Sequence, residues 1–349
     1  MYNICRNKGE KQMNKYPFPK VDLHFHLDGS MVPEVTWKLA KERNIKLPAE
    51  TLEGFKQFLA DTADCGDVGE YLARFDLPTA ILQDEAALFE TIYTTIENVK
   101  DYLCYAEIRF APQLHTKKGL TQKEVIEAII KGKQKAEADF PSIKVGIILC
   151  CMIDDYDNSE ENFETVRLFE EYCDKTNIVA LDLAGFEDFV PMAHYAPLFV
   201  SPKEKGLPMT IHAGDNGGPE NCSMVIDFGA SRIGHGHKCY NDKAVLQKVI
   251  DNNIALEICL TSNIQCKTQP SYQKHPAKKL LDAGAKVTLN TDNMILGNLT
   301  IIDEYDRALE KAGFTYNDLI TCNINAIEAS FMPQENKQAY IDELKKHYK

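Results

Sequence analysis

The chain has 349 residues, of which 44% are hydrophobic, and its formal net charge at pH 7 is −13. This length allows two ordinary domains or one large barrel, each with a sizeable hydrophobic core. The acidic balance argues against a nucleic-acid partner, which would require clustered lysines and arginines, and no apolar run approaches the roughly 18 residues of a membrane span.

The N-terminal twenty residues are polar and basic and have no apolar core of a signal peptide. The eleven cysteines are scattered, odd in number and without a CxxC pair, which favours reduced thiols and a cytoplasmic location. We interpret residues 1–19 as an N-terminal extension, for which disorder is left open, and residues 20–349 as a single domain.

Eight short apolar or β-branched runs predict strands, and helix-period segments separate most of them. The predicted strands are residues 20–27, 105–112, 144–152, 178–185, 208–215, 232–236, 255–263 and 286–293. Helices are predicted at residues 121–139, 159–175, 219–228, 242–252 and 273–283. This alternation predicts a (β/α)8 TIM barrel. A doubly wound open sheet is the rival, but its GxGxxG turn is missing after the first strand.

The first two predicted strands begin 85 residues apart, at Lys20 and Tyr105. That interval predicts extra helices near residues 33–44, 52–59, 68–76 and 85–100. Because they follow a strand of the barrel, we expect them to lie over its C-terminal mouth, where they would cover a ligand.

Histidines and one aspartate recur at the predicted C-terminal ends of strands. His24 and His26 are two residues apart on the first strand and therefore share a face. His212, His235 and Asp292 fall at the ends of the fifth, sixth and eighth strands. Barrel enzymes place their chemistry at this end, and three imidazoles with a carboxylate suit Zn²⁺ with an open position for water.

The motifs that carry these residues resemble those of the adenosine deaminases. They read LHFHLDGS at 23–30, DLAG at 182–185, HAGD at 212–215, RIGHG at 232–236 and LNTDN at 289–293. The resemblance runs from about Val21 to the last helices. A different class of zinc deaminases, defined by an HxE…PCxxC signature, is excluded because that cysteine motif is absent.

The resemblance implies one Zn²⁺ per chain, held by His24, His26, His212 and Asp292. Hydroxide generated at the zinc would attack C6 of adenosine or 2′-deoxyadenosine and release ammonia, leaving inosine or 2′-deoxyinosine. His235 would orient the water and stabilise the oxyanion, or take its proton, and Asp292 would also accept a proton. The partner is thus a small purine nucleoside, without nucleic acid or membrane.

The resemblance also implies contacts with the nucleoside. Asp28 would accept a hydrogen bond from the ribose 5′-hydroxyl, Gly185 would let the purine edge approach the backbone, and Asn293 would bond purine N7. Phe75 is our first choice for a wall of the purine pocket. Asp215 would be the acid that donates to purine N1.

Two positions depart from the family pattern. Asp215 stands where the family carries a glutamate, so its carboxyl reaches about 1.5 Å less far. A shifted loop, a bridging water or a lower activity would follow. Asn293 stands where several relatives carry a second aspartate. Two alternatives therefore remain open: deamination of another 6-aminopurine nucleoside, and a zinc-binding homologue with impaired catalysis.

The other histidines are interpreted as structural. We expect His194 and His275 to be solvated and His237 to lie at the rim of the site. For Asp182 two readings stay open: a carboxylate that orients a ligand histidine, and a salt bridge within the barrel.

Overall fold

The computed structural model describes residues 15–66, 68–174 and 176–349. Eight strands form two four-stranded sheets, ordered β1-β2-β3-β4 and β5-β6-β7-β8, and every strand pair is parallel. The strands are β1 (Val21–His26), β2 (Tyr105–Phe110), β3 (Lys144–Ile153), β4 (Ile178–Gly185), β5 (Thr210–Ala213), β6 (Arg232–His235), β7 (Ala255–Ile258) and β8 (Lys286–Leu289).

Isolated parallel bridges join the two sheets at both edges. Leu181 of β4 pairs with Met209 just before β5, and Phe25 of β1 pairs with Asp292 beyond β8. At the second seam the His26 amide donates to the Asp292 carbonyl at 2.7 Å, and the Asp292 amide donates to the His24 carbonyl at 2.8 Å. The predicted (β/α)8 barrel is confirmed, and the second seam lies at its C-terminal mouth.

The helices follow the predicted alternation. They are α1 (Pro33–Glu42), α2 (Leu52–Asp61), α3 (Val68–Ala73), α4 (Asp76–Ile81), α5 (Glu85–Val99), α6 (Gln122–Asp139), α7 (Ser159–Tyr172), α8 (Val200–Glu204), α9 (Pro219–Phe228), α10 (Lys243–Asp251), α11 (Leu260–Gln265), α12 (Ala277–Asp282), α13 (Ile301–Lys311), α14 (Tyr316–Ala329) and α15 (Gln334–Lys345). Within the described ranges, none of them has the length and apolar character that crossing a membrane requires.

Four predicted segments differ most from the structure. The strands predicted at 255–263 and 286–293 end at Ile258 and Leu289, and residues 260–265 form α11 instead. The helix predicted at 273–283 is interrupted by Pro276, between a 3₁₀ turn (Tyr272–Lys274) and α12. The predicted helix 68–76 becomes α3 and α4, because Pro78 has no amide hydrogen to continue the helical ladder.

Helices α1 to α5 form the insertion after β1. Phe55 and Leu59 of α2 pack against Leu296, in the loop after β8. The Arg74 guanidinium, between α3 and α4, donates to the Leu296 carbonyl. The inserted helices are therefore fastened to the C-terminal side of the barrel, over the mouth, as predicted.

The described residues just before the barrel also pack against it. Tyr16 and Phe18 are each 2% exposed. The Tyr16 ring meets Tyr305 of α13 edge-on at 5.5 Å between ring centroids, and Phe18 meets Tyr316 of α14 in the same way at 5.7 Å. Residues 1–14, the rest of the interpreted extension, lie outside the described ranges.

Candidate active site

Four imidazoles meet at the C-terminal mouth of the barrel. The centroid of the His24 ring lies 4.6 Å from that of His212 and 4.8 Å from that of His235. His26 lies at the end of β1, and its ring centroid is 5.4 Å from that of His212. Residues from β1, β5 and β6 thus converge because parallel strands of a barrel end at one rim.

Asp292 joins this group from the loop after β8. Its Oδ1 lies 3.5 Å from His26 Nε2 and 3.7 Å from His24 Nε2. Asp292 and His235 both adopt left-handed backbone angles, with φ of 62° and 60°. Residues other than glycine rarely adopt this backbone conformation, and such strained residues cluster at functional sites.

Buried carboxylates orient two of the imidazoles from below. Glu257 of β7 lies 2.7 Å from His24 Nδ1, and the Asp182 carboxylate of β4 lies 3.0 Å from His212 Nδ1. A carboxylate bound at Nδ1 holds the proton there and leaves the lone pair of Nε2 free to bind a metal. His24 Nε2 is in fact buried without a hydrogen-bond partner among the described residues.

Two overlapping sets of side chains have the spacing of a metal site. His24, His212 and His235 form one set, and His24, His26 and Asp292 form the other, with candidate ligand atoms within 4.8 Å of one another. Geometry alone therefore brings His235 as close to the centre as the four residues that the family resemblance implies. Imidazole and carboxylate donors in this number suit Zn²⁺.

Beneath the imidazoles lies a buried ionic network that we call the floor. It consists of Glu107, Arg109, Asp182, Arg232 and Glu257. Arg109 contacts Asp182 at 2.6 Å and Glu257 at 2.7 Å, and Arg232 contacts Glu257 and Glu107, each at 2.6 Å. Burial opposes ionisation of Glu257, but Arg109 and Arg232 hold its pKa well below the usual range.

Asp182 makes both of the contacts left open for it, since its carboxylate lies against His212 Nδ1 and pairs with Arg109. The sequence reading missed Arg109, Arg232 and Glu257. The sequence feature that could have revealed them is a charged residue within an apolar strand, such as Glu257 in Ala255–Ile258. A charge buried in this way requires a partner of opposite charge.

Asp215 is buried at the rim of the imidazole group. Its Oδ1 accepts hydrogen bonds from Asn263 Nδ2 and Thr268 Oγ1, both at 2.8 Å. Burial opposes ionisation, yet the neighbouring His235 and His237 and the Thr268 hydrogen bond lower the pKa of Asp215.

The loop that carries Asp215 is held by a carboxylate that sequence reasoning missed. The backbone amides of Gly214, Asp215 and Asn216 donate to the Glu187 carboxylate at 2.9, 2.8 and 3.1 Å. Glu187 is 4% exposed, so these charge-assisted bonds form in a dry environment. The loop geometry is thus fixed by the segment that follows β4, independently of the Asp215 side chain.

Asp28 follows β1 and is buried beside a cavity. Burial raises the pKa of Asp28 to about 6, although the Gly29 amide donates to its Oδ1 at 3.0 Å. The cavity measures about 400 Å³, and its lining includes Asp28, Leu47, Phe55 and Phe58. The helices and loops of the insertion after β1 supply most of this mainly apolar wall.

Phe75 and Asn293 lie on the side of the site that the inserted helices cover. The Phe75 ring meets the His26 ring edge-on at 6.4 Å between centroids. Asn293 Nδ2 lies 2.5 Å from the Tyr71 hydroxyl and 2.7 Å from Asp292 Oδ1. A Cβ on Gly29 would lie 1.7 Å from Asn293 Oδ1, so any other residue at this turn would displace the Asn293 side chain.

Gly185 ends β4 with a φ of 123°. A Cβ at this position would lie 2.3 Å from the backbone oxygen of Ile153. The contact between β3 and β4 therefore requires this glycine whatever ligand approaches it.

One expectation about the remaining histidines was wrong. His194 is exposed, as expected, but His275 is 3% exposed, while His237 lies beside Asp215 at the rim of the site and is fully buried. The break at Pro276 lets the His275 side chain reach inward, where its Nε2 lies 3.0 Å from Asn263 Oδ1. His237 follows the left-handed Gly236, and its Nδ1 lies 3.9 Å from Asp215 Oδ1.

Similarity to known proteins identifies the family of this chain. The profile of the family described as adenosine deaminase matches residues 19–347. The chain belongs to the adenosine deaminase family. An adenosine deaminase of Haemophilus ducreyi is 38% identical over 331 residues, which cover 94% of this chain and 96% of that protein. One of Clostridium acetobutylicum is 37% identical over 328 residues, covering 93% and 97%.

Solved structures place this member of the adenosine deaminase family among barrels of related enzymes. The adenine deaminase of Arthrobacter aurescens superposes with a TM-score of 0.85 over 94% of this chain and 98% of that one. At 23% identity it shows the fold alone. The Arabidopsis protein ADAL, solved in complex with GMP, has a TM-score of 0.81 and 25% identity and covers 97% and 98%.

Proposed function

We propose that this protein hydrolyses adenosine and 2′-deoxyadenosine to inosine and 2′-deoxyinosine with release of ammonia. One observation carries the proposal. Four imidazoles and the carboxylates of Asp215 and Asp292 converge at the strand ends of a chain that is 38% identical to an adenosine deaminase.

We assign one Zn²⁺ per chain to His24, His26, His212 and Asp292. The fit rests on the buried, unpartnered Nε2 of His24 and on the carboxylates that hold Nδ1 of His24 and His212. When bound, zinc supplies a water molecule whose pKa is lowered towards neutrality, for addition to purine C6.

The remaining groups of the site handle protons. Asp215 exchanges a proton with purine N1 through Oδ2, since Asn263 and Thr268 already occupy Oδ1. Asp292, with its pKa raised by burial, accepts a proton as the water adds. His235 orients the water from β6 or takes part in its deprotonation.

We assign the contacts with the nucleoside to residues from four segments of the chain. We assign the ribose 5′-hydroxyl to Asp28, the purine edge to Gly185 and one wall of the purine to Phe75. We assign purine N7 to Asn293, whose Nδ2 donates to Tyr71 and Asp292 in the structure. The bond to N7 then replaces the bond to the Tyr71 hydroxyl.

A 6-aminopurine nucleotide is the second candidate, because the structurally similar ADAL was solved with GMP. Asp28 argues against it, since a buried carboxylate and a 5′-phosphate repel each other. We expect zinc-replete protein to deaminate adenosine faster than AMP and faster than free adenine. Faster turnover of AMP or adenine would contradict the assignment of Asp28. Bound zinc without turnover of any of the three would identify an impaired homologue.

A further inference from the structure

A chain of hydrogen bonds runs into the site from outside it, and it begins at His275. The Ala277 amide donates to His275 Nδ1 at 3.1 Å. A backbone amide is always a donor, so Nδ1 accepts and the ring carries its proton on Nε2. The ring is neutral, because burial lowers the pKa of His275 to about 3.

The second link is the side chain of Asn263 on α11. His275 Nε2 lies 3.0 Å from Asn263 Oδ1, so the N–H donates to this oxygen. The orientation of the amide is thereby settled, and its nitrogen faces the site. Asn263 Nδ2 lies 2.8 Å from Asp215 Oδ1 and 3.2 Å from His235 Nδ1, one acceptor for each hydrogen.

We propose that His275 and Asn263 are positioning residues that keep the proton of His235 on Nε2 and turn Oδ2 of Asp215 towards the substrate. The roles given to His235 and Asp215 rest on the proposed function. The hydrogen-bond chain itself depends only on the direction of the Ala277 amide.

The hydrogen-bond chain accounts for leaving His235 out of the proposed set of metal ligands. The ring centroids of His235 and His212 are almost equally close to that of His24, at 4.8 and 4.6 Å. His212 has its Nδ1 against a carboxylate, which leaves Nε2 with a lone pair, whereas His235 has its Nδ1 against an amide donor. A protonated Nε2 cannot coordinate a metal ion.

The same proton decides between the two roles left open for His235. With its proton on Nε2, His235 cannot take a proton from water through that nitrogen. It donates a hydrogen bond instead, and so stabilises the negative charge that develops on the oxygen adding to C6. His235 thus acts as an electrostatic stabiliser, and the deprotonation falls to Asp292.

The tautomer can be measured directly. We would record ¹⁵N spectra of zinc-loaded protein labelled at histidine, with His235→Gln to assign the ring. We expect His235 to carry its proton on Nε2 in the wild type. Asn263→Asp replaces the donor by an acceptor, so the proton should move to Nδ1. A wild-type ring protonated on Nδ1, or an unchanged tautomer in Asn263→Asp, overturns the proposal.

Kinetics test the contribution of His275. His275→Leu removes the donor to Asn263, whereas His275→Gln offers an amide N–H in its place. We expect kcat on adenosine to fall at least about tenfold in the Leu variant and to stay within about threefold in the Gln variant. KM and zinc content should change little in both. Equal kcat values for the two variants would refute the positioning role.

His115→Leu is the matched control, since it removes another buried, neutral imidazole that lies outside the hydrogen-bond chain. Its loss of thermal stability should resemble that of His275→Leu, while its kcat should not fall. A matching fall in kcat would show that the effect is structural and would overturn the proposal. If the wild type holds the Nε2 tautomer but deaminates none of the substrates, the proposed function fails and the hydrogen-bond chain stands.

Discussion

The floor and the mouth of the barrel differ in how their buried polar groups are paired. In the floor, each of the three carboxylates contacts an arginine at 2.7 Å or less. At the mouth, among the described residues, His24 Nε2 and Asn293 Oδ1 are buried without a hydrogen-bond partner. Each carboxylate of the floor is thus paired with a cation, although Arg109 Nε has no hydrogen-bond partner in the described residues either, whereas the two unpartnered atoms of the mouth are neutral.

Glu257 and Asp182 connect the two layers, because each binds an arginine below and an imidazole above. Buried ion pairs are weak evidence for stability, since desolvation offsets their attraction. Their value here is orientation, because each binds Nδ1 of His24 or His212 and so fixes which ring nitrogen faces the mouth. The comparison predicts that substitutions in the floor damage the fold and that substitutions in the mouth damage the chemistry.

The largest effect on activity is expected at the mouth. Asp292→Asn removes a charged ligand and a proton acceptor, so bound zinc should be lost and kcat on adenosine should fall at least about 10⁴-fold. Asparagine tolerates the left-handed φ of 62° at this position. The unfolding free energy of the metal-free protein should therefore fall by much less than the roughly 3–5 kcal/mol expected for breaking a buried ion pair in the floor. Elemental analysis measures the bound zinc, steady-state kinetics measure kcat, and denaturant titration measures the unfolding free energy. A strongly destabilised metal-free variant would contradict the contrast between floor and mouth.

The largest effect on stability is expected in the floor. Glu257→Gln leaves Arg109 and Arg232 with one carboxylate fewer, and uncompensated buried charges cost about 3–5 kcal/mol of unfolding free energy. Glu90→Gln is the control, because it breaks a surface pair with Lys38 that contributes about 1 kcal/mol at most. Both are to be measured without metal. Equal costs for the two variants would show that the floor is no more than a set of ordinary ion pairs.

Glu304 tests whether arginine contacts keep the floor carboxylates ionised. It is buried on α13 and accepts hydrogen bonds from the amide and hydroxyl of Thr261, but no arginine donates to it in the described residues. Burial raises the pKa of Glu304 to about 7. The folded protein therefore holds this proton at pH values where the unfolded chain releases it.

The sign of the effect follows from proton linkage. The stability contributed by protonated Glu304 is fully present below the unfolded pKa, about 4.5, and is lost as pH rises through about 7. Glu304→Gln cannot titrate, so the wild type should lose about 2–3 kcal/mol relative to the variant between pH 5 and pH 8. Parallel denaturation curves at these pH values check this. A difference that stays constant with pH would mean that Glu304 is ionised in the fold.

Sequence reasoning predicted the barrel and brought the right imidazoles to one rim, because strand periodicity and strand ends are local signals. It placed Asn263 on a strand and His275 in solvent, because the short α11 and the break at Pro276 depend on packing. The floor was missed for a similar reason. Which arginine meets which carboxylate depends on strands far apart in sequence, as with Arg232 and Glu107.

The smallest and sharpest prediction concerns Asp215, where the family resemblance and the local packing disagree. The resemblance calls for a glutamate, whose carboxyl reaches about 1.5 Å further towards purine N1. Asp215→Glu should therefore raise kcat on adenosine at least about tenfold, or about 1.4 kcal/mol of barrier, with unchanged zinc content. Asp215→Ala should remove most of the activity. Steady-state kinetics on the wild type and the two variants measure these changes in kcat.

If Asp215→Glu is neutral or harmful, Asn263 and Thr268 have adapted the pocket to the shorter acid, since their two donors fit a carboxylate at this distance from the backbone. A substrate other than adenosine would then become the better hypothesis.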